Sequence, residues 1–250
     1  MLEKQIEFIA PKSYFNLKQD YPKPIKLNIP DWYKKLEHSV NNRTIKGCIP
    51  VLDSLTFGYS LSIPVDISIH HNVTNKDKNG KEFKDSFYGC PIEKNMAHEG
   101  ININDGTHLS NHPIGQLEGS PHVEKNKNLP FYKISNPWII KTPPGYSCLF
   151  VPPLNNEDDR FTILPAIVDT DTFHKEINFP IVLNGDKYPN LETTLKKGTP
   201  YAQVIPFKRN NWKMKLSTMD EKKNMLNNFL YPLRMLHTYK LDFWNKKSCK

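Results

Sequence analysis

Two carboxylates one residue apart, Asp169 and Asp171, close the apolar run Ala166-Ile167-Val168. Such a pair either carries chemistry or ends the strand and satisfies the amides of the following turn, and the sequence leaves both uses open. Four histidines, His98, His108, His112 and His122, share residues 91–130 with Glu99, Asp105 and Glu118. Imidazoles and a carboxylate converging on one point would suit a transition metal. Neither HxD nor HExxH spacing is present, and Ser110, Asn111 and Pro113 oppose a helix that would align His108 with His112. These histidines read as polar loop residues, as do His70 and His71 at a strand end, and no metal site is expected. Trp138 and Trp32, with the basic run after Pro206, either frame a ligand groove or pack in the core.

The 250 residues carry a net charge of +8, concentrated after position 207 in FKRNNWKMK and again in NKKSCK. A basic balance favours phosphate-bearing partners. Lys and Asn dominate the polar positions, however, so most lysines read as solvated surface and specific nucleic-acid binding is not expected. Cys48, Cys90, Cys148 and Cys249 form no CxxC pair and read as reduced thiols. No apolar run reaches the roughly 18 residues needed to span a bilayer, and the N-terminus lacks the apolar core of a signal peptide. A cytoplasmic protein without membrane contact is expected.

The elements that must position these residues are short strands. Twenty-one prolines punctuate β-branched and aromatic runs, which opposes long helices. Residues 1–47 read as an N-terminal arm packing on the body, with a short helix in PDWYKKLEHSV. Residues 48–216 read as the β-rich domain. CIPVLDSLTFGYSLSIPVDISIH suggests two strands around Phe57-Gly58-Tyr59, and Val65, Ile67 and Ile69 alternate with polar partners. Asn79-Gly80 marks a hairpin turn. Residues 91–130 lack periodicity and suggest a long ordered loop. Strands resume in YKISNPWII, SCLFVP, RFTILPAIV, INFPIVL and AQVIPFK. At 217–250, a capping-box pattern from Thr218 to Glu221 and the spacing of Met225, Leu226, Phe229, Leu230 and Leu233 suggest a C-terminal helix, ending near Pro232, and a basic tail.

Residues 142–208 resemble the second half of a deoxyuridine triphosphatase-type β-clip domain. TPPGYSCLFVPP would be its Pro-Pro-Gly turn and strand, AIVDTD its Ile-Asp-x-Asp strand end, and LKKGTPYAQVIPFK its Lys-Gly turn and Ala-Gln strand. The resemblance implies an all-β fold with minor α, a β-clip distorted barrel with an N-terminal arm and a C-terminal helix. It places Asp169 where the family's aspartate orients the attacking water, a task that suits a carboxylate able to take its proton. Thr172 or Phe173 falls near the tyrosine that stacks beneath the deoxyribose, and Gln203 on the phosphate side of the pocket. Phe57-Gly58-Tyr59-Ser60-Leu61 is similar to the first motif, with Tyr59 in place and Ser60 where an acidic residue stands. Asp171, Lys208 and Arg209 complete the candidate ligand set, with Mg²⁺ expected if a nucleotide is hydrolysed. The family also implies a homo-oligomer, by analogy a trimer.

Two departures bear on the chemistry. Pro152-Pro153-Leu154-Asn155 stands where the family has an arginine and hydroxyl pair that clamps phosphate. The Gly-rich arm that closes over the triphosphate has no counterpart in TYKLDFWNKKSCK. NPW, KTPPGYSCLF, IVDTD, INFP and QVIPFKR, together with PDWYKKL, CIPVLD and the C-terminal tail, also resemble an uncharacterised family of phage and marine bacterial proteins. That resemblance implies a phage or bacterial origin, and hence the host cytoplasm if phage-encoded. Two functions follow as expectations: a binding or structural module that has lost the phosphate chemistry, and a divergent hydrolase of a nucleotide or phosphorylated metabolite using Asp169.

Overall fold

The computed structural model describes residues 4–12, 21–39, 41–89, 109–156, 158–220, 225 and 239–250. In chain order the elements are β1 (Glu7–Ile9), β2 (Lys23–Pro24), α1 (Asp31–Lys35), α2 (Ile49–Thr56), β3 (Tyr59–Ser62), β4 (Ile67–Lys76), β5 (Glu82–Gly89) and β6 (Leu109–His112). There follow α3 (Pro121–Lys125), β7 (Phe131–Lys141), β8 (Tyr146–Val151), β9 (Phe161–Ile163), β10 (Ala166–Val168), β11 (Glu176–Leu183), β12 (Asn190–Leu195) and β13 (Pro200–Lys208). The chain divides into two compact units, Met1–Lys23 with Gly58–Lys208, and Pro24–Phe57 with Arg209–Lys250. The limits of these units fall at 23/24, 57/58 and 208/209.

The first unit is mainly β. One sheet runs β1-β7-β11-β9, with β6 sharing the β1 side of β7 at its other end. A second runs β10-β8-β13-β3, with β2 at its edge, and a third runs β12-β4-β5. The sheets are antiparallel and, among the described residues, none closes into a barrel. Alternation decides which side chains face inward. On β4, Ile67, Ile69 and His71 are buried while Ser68 is exposed, and on β11 Ile177 and Phe179 flank an exposed Asn178. These faces meet Leu61, Ile134, Ile140, Phe150 and Val204 in one core. On β13 the four successive residues Tyr201 to Val204 are all buried, as a strand covered on both faces requires. Trp138 is buried at the edge of the Tyr21 ring, 5.6 Å between centroids, which makes it a packing residue.

Several local readings shift. Residues 49–56 form helix α2, not a strand. Ile49, Leu52 and Leu55 recur at helical spacing, Pro50 sits in the first turn where its missing N–H costs nothing, and the Phe57 amide caps Asp53 at 2.9 Å. Within the expected loop 91–130, β6, a turn of 3-10 helix at Ile114–Leu117 and α3 are formed, α3 capped by the Ser120 hydroxyl on the His122 amide. Residues 90–108 lie outside the described residues. The hairpin between β4 and β5 turns at Gly80, whose amide donates to Asp77 O at 2.9 Å.

In the second unit, α1 buries Tyr33, and the Lys46 ammonium satisfies the carbonyls of Lys34 and Leu36 at its C-terminal end, at 2.9 and 2.7 Å. Asp53 on α2 accepts from the Trp244 indole at 3.2 Å and from Lys247 at 2.6 Å, which anchors the C-terminal segment. The expected helix over 217–233 falls largely outside the described residues. Beyond it, Tyr239–Phe243 forms a single wide helical turn. No helix among the described residues is long and apolar enough to cross a membrane.

Gly58 marks the tightest backbone approach among the described glycines of the β-unit. Its φ is +99°, and a Cβ added there would lie 2.4 Å from Val204 O. Gly80 has a similar φ of +78° but open space around it. Gly58→Ala is expected to destabilise by about 2 kcal/mol or more, against about 1 kcal/mol for Gly80→Ala, where only left-handed backbone is at stake. Urea denaturation of the two variants measures the difference.

Candidate functional site

The Pro143-Pro144-Gly145 turn joins β7 to β8, with Gly145 at φ +81° and the Tyr146 amide closing onto Pro143 O at 3.2 Å. β10 pairs with β8 so that Val168 lies opposite Cys148, which carries the next residues, 169–171, alongside the turn. Asp169 Oδ1 accepts the Ser147 hydroxyl at 2.7 Å, and Asp171 Oδ2 accepts the Gly145 amide at 2.8 Å. Between them Thr170 is fully buried. Its hydroxyl is 2.8 Å from that of Thr142 and donates to the Cys148 sulfur at 3.4 Å. Burial pushes the Cys148 thiol up to about 11, so it is neutral and unsuited to nucleophilic attack. Asp169 O also caps the turn that follows, accepting the Thr172 and Phe173 amides at 3.0 and 2.8 Å. The two carboxylates thus hold a turn, while Asp169 itself remains exposed at the strand end.

The other sequence candidates lie elsewhere. Gln203 on β13 has no exposed surface, and its side-chain oxygen accepts the Leu154 amide at 3.0 Å, tying down the turn at Asn155, where φ is +57°. Gln203 lies opposite Val151, and Phe207 opposite Ser147, so Gln203 and Asp169 are separated by four residues of strand, about 13 Å. Tyr59 pairs with Val204 while Ser60 pairs with Gln203, so the Tyr59 and Gln203 side chains leave opposite faces. Tyr59 packs edge-on against Phe8, 5.3 Å between centroids. Phe173 is 42% exposed beyond β10. Lys208 ends β13 opposite Tyr146, and Arg209 opens the chain's return to the second unit. The structure therefore brings together Asp169 and Asp171, with Thr142, Ser147 and Thr170, but not Gln203 or Tyr59.

A cavity of about 260 Å³ opens beside the Pro152–Asn155 turn, bounded also by Lys125, Asp158, Asp159 and Tyr201. Hydrogen bonding to Arg160, at 2.9 and 2.7 Å, holds the Asp158 carboxyl below the usual carboxylate range. Lys187, at 2.6 Å, does the same for Asp159, helped by the Tyr188 hydroxyl. Both are ionised at neutral pH, and Arg160 and Lys187 are engaged by them, while Lys125 also lines the cavity. Nothing local in the sequence marked this pairing, because Lys187 and Tyr188 meet Asp159 only through the fold.

No family model matches the chain, and no curated protein matches it either.

The histidines separate into structural roles. His112 bonds Gln116 and stacks on Phe131 at 5.5 Å, whereas His98 and His108 lie outside the described residues. No group of three His, Cys, Asp or Glu among the described residues could hold a metal. His70 bridges the third sheet, its ring nitrogens 2.6 Å from Glu192 on β12 and 3.1 Å from Asp85 on β5. The Glu192 bond raises its pKa, with the charge of Asp85 adding to it. His71 points the other way, into the core, with no exposed surface and an Nε2 that has no partner. A proton there would meet no acceptor, and burial pushes its pKa down to about 4.

These opposite shifts have opposite pH signatures. The contribution of His70 is full below the unfolded pKa of 6.5 and is lost as pH rises through its raised folded value. That of His71 is full above 6.5 and is lost as pH falls toward 4, because the unfolded chain then binds the extra proton. Stability should decline on both sides of pH 6.5, with up to about 3 kcal/mol of the acid limb due to His71. In thermal melts from pH 4.5 to 8, His71→Gln should flatten the acid limb and His70→Gln the alkaline one.

Proposed function

We propose that this protein is a binding or structural module, of phage or bacterial origin, built on a dUTPase-like β-clip core that has lost its phosphate-clamping chemistry and assembles as a homo-oligomer. The observation that carries this reading is the wall beside the Pro152–Asn155 turn. A phosphate site at that position would need an arginine fork and a hydroxyl directed at the ligand. Here two ionised carboxylates, Asp158 and Asp159, line the cavity, and the nearby Arg160 and Lys187 are bonded to them. A triphosphate brought there would meet two carboxylates against the one lining cation, Lys125. The side chains of Gln203 and Asp171 are likewise engaged in holding turns.

One observation favours a divergent hydrolase as the second reading: Asp169 stays exposed at an open strand end beside a hydroxyl. Mg²⁺ and a nucleotide or phosphorylated metabolite would then be its partners, with Lys208 and Arg209 supplying charge.

A thermal-shift screen against nucleotides, with and without Mg²⁺, separates the two. A ligand at 100 times its Kd stabilises by about 2.7 kcal/mol, which moves the melting temperature visibly. The binding-module reading expects no nucleotide-dependent shift and no phosphate release, with wild type and Asp169→Ala behaving alike. Stabilisation of wild type by a deoxynucleotide together with phosphate release, both absent in Asp169→Ala, would establish the hydrolase reading instead.

A further inference from the structure

Residues 209–220 follow β13 without helix, turn or bend, and every one of them is exposed. Trp212, Met214 and Leu216 are 89, 83 and 84% exposed, and Met219 is 67% exposed. Trp212, Met214 and Leu216 alternate with Lys213, Lys215 and Ser217, so an extended backbone sorts them into an apolar side and a polar side, with Met219 falling on the latter. Among the described residues, none of 210–219 makes a hydrogen bond. A row of unpaired amides and carbonyls beside a continuous apolar stripe is what a strand presents before it joins a sheet.

We propose that this arm adds to the outer edge of β10 in a second copy of the chain. β10 pairs only with β8, which leaves its other side open among the described residues. Ile167 on that strand is 65% exposed, and Phe173 just beyond it is 42% exposed, giving the arm's apolar side a matching surface. Charge matches as well. The arm carries Arg209, Lys213 and Lys215 against one Asp220, whereas the turn after β10 and the first residue of β11 carry Asp169, Asp171 and Glu176 against one Lys175. Met214 and Leu216 are not aromatic, which suits a protein edge and leaves Trp212 as the single base-stacking surface of the arm. The three side chains of that side present roughly 450 Å² and cover about as much of the partner's edge. An exchange with one arm in each direction therefore reaches the ~1,200–2,000 Å² of a stable interface.

The proposal stands apart from the loss of phosphate chemistry and requires only that the arm and the edge meet between copies. Light scattering coupled to size exclusion, on the full chain across micromolar concentrations, tests it. Wild type is expected to be larger than a monomer. Trp212→Glu, with Met214→Glu as a second arm variant, and Ile167→Glu at the edge should each weaken self-association about tenfold or more. All three positions are exposed within one chain, so the melting temperature of the dissociated variants reports that the fold is retained. An equimolar mixture of Trp212→Glu and Ile167→Glu should regain a complex, because one supplies an intact edge and the other an intact arm. A wild-type monomer at all concentrations would overturn the proposal. So would arm variants that keep the wild-type mass, or a mixture that stays dissociated. A monomer that instead binds single-stranded oligonucleotide through Trp212 would assign the arm to a different partner.

Discussion

β13 is buried on both faces, and much of the β-unit is organised by that constraint. Tyr201, Ala202, Gln203 and Val204 are inaccessible in succession, so any polar atom they carry must be matched inside the protein or remain unsatisfied. Gln203 meets the requirement by taking the Leu154 amide, which holds the Pro152–Asn155 turn against the sheet. The Tyr201 hydroxyl does not meet it and remains buried without a partner. Close packing on β13 also explains Gly58, since any side chain there would strike the Val204 carbonyl.

The same logic governs the motif that first suggested chemistry. A Pro-Pro-Gly turn has a Gly145 amide to satisfy and two prolines without amides of their own, so it needs an acceptor from outside the turn. Asp171 supplies it, Asp169 takes the Ser147 hydroxyl, and the buried Thr142–Thr170 pair joins the two segments from behind. A short, locally satisfied network of this kind fixes geometry at the cost of leaving few groups for a ligand. The carboxylates that line the nearby cavity are likewise committed to Arg160 and Lys187.

Sequence reading succeeded where local chemistry decides the outcome. The alternation at Ile67 and Ile69, the Asn79-Gly80 turn and the Pro-Pro-Gly turn each follow from steric or burial rules acting over a few residues. It failed at CIPVLDSLT, where a short apolar run fits either a strand or a helix and the first-turn Pro50 favours the helix. Strand β12 was hidden because Leu191 and Leu195, its buried residues, are four apart and mimic helical spacing. The adjacent His70 and His71 look alike in the sequence, yet they face opposite sides of β4, one toward two carboxylates and one into the core. Contacts such as Asp159 with Lys187, or Asp53 with Trp244, join distant positions and leave no local signature.

Asp171 and Gln203 serve as backbone fasteners, each side chain accepting one turn amide. Residue-resolved amide hydrogen exchange on Asp171→Ala and Gln203→Ala measures this directly. The Gly145 amide is expected to lose protection in the first variant and the Leu154 amide in the second, each without a comparable change at the other site. Unchanged protection at both amides would contradict it and would free these side chains for a ligand.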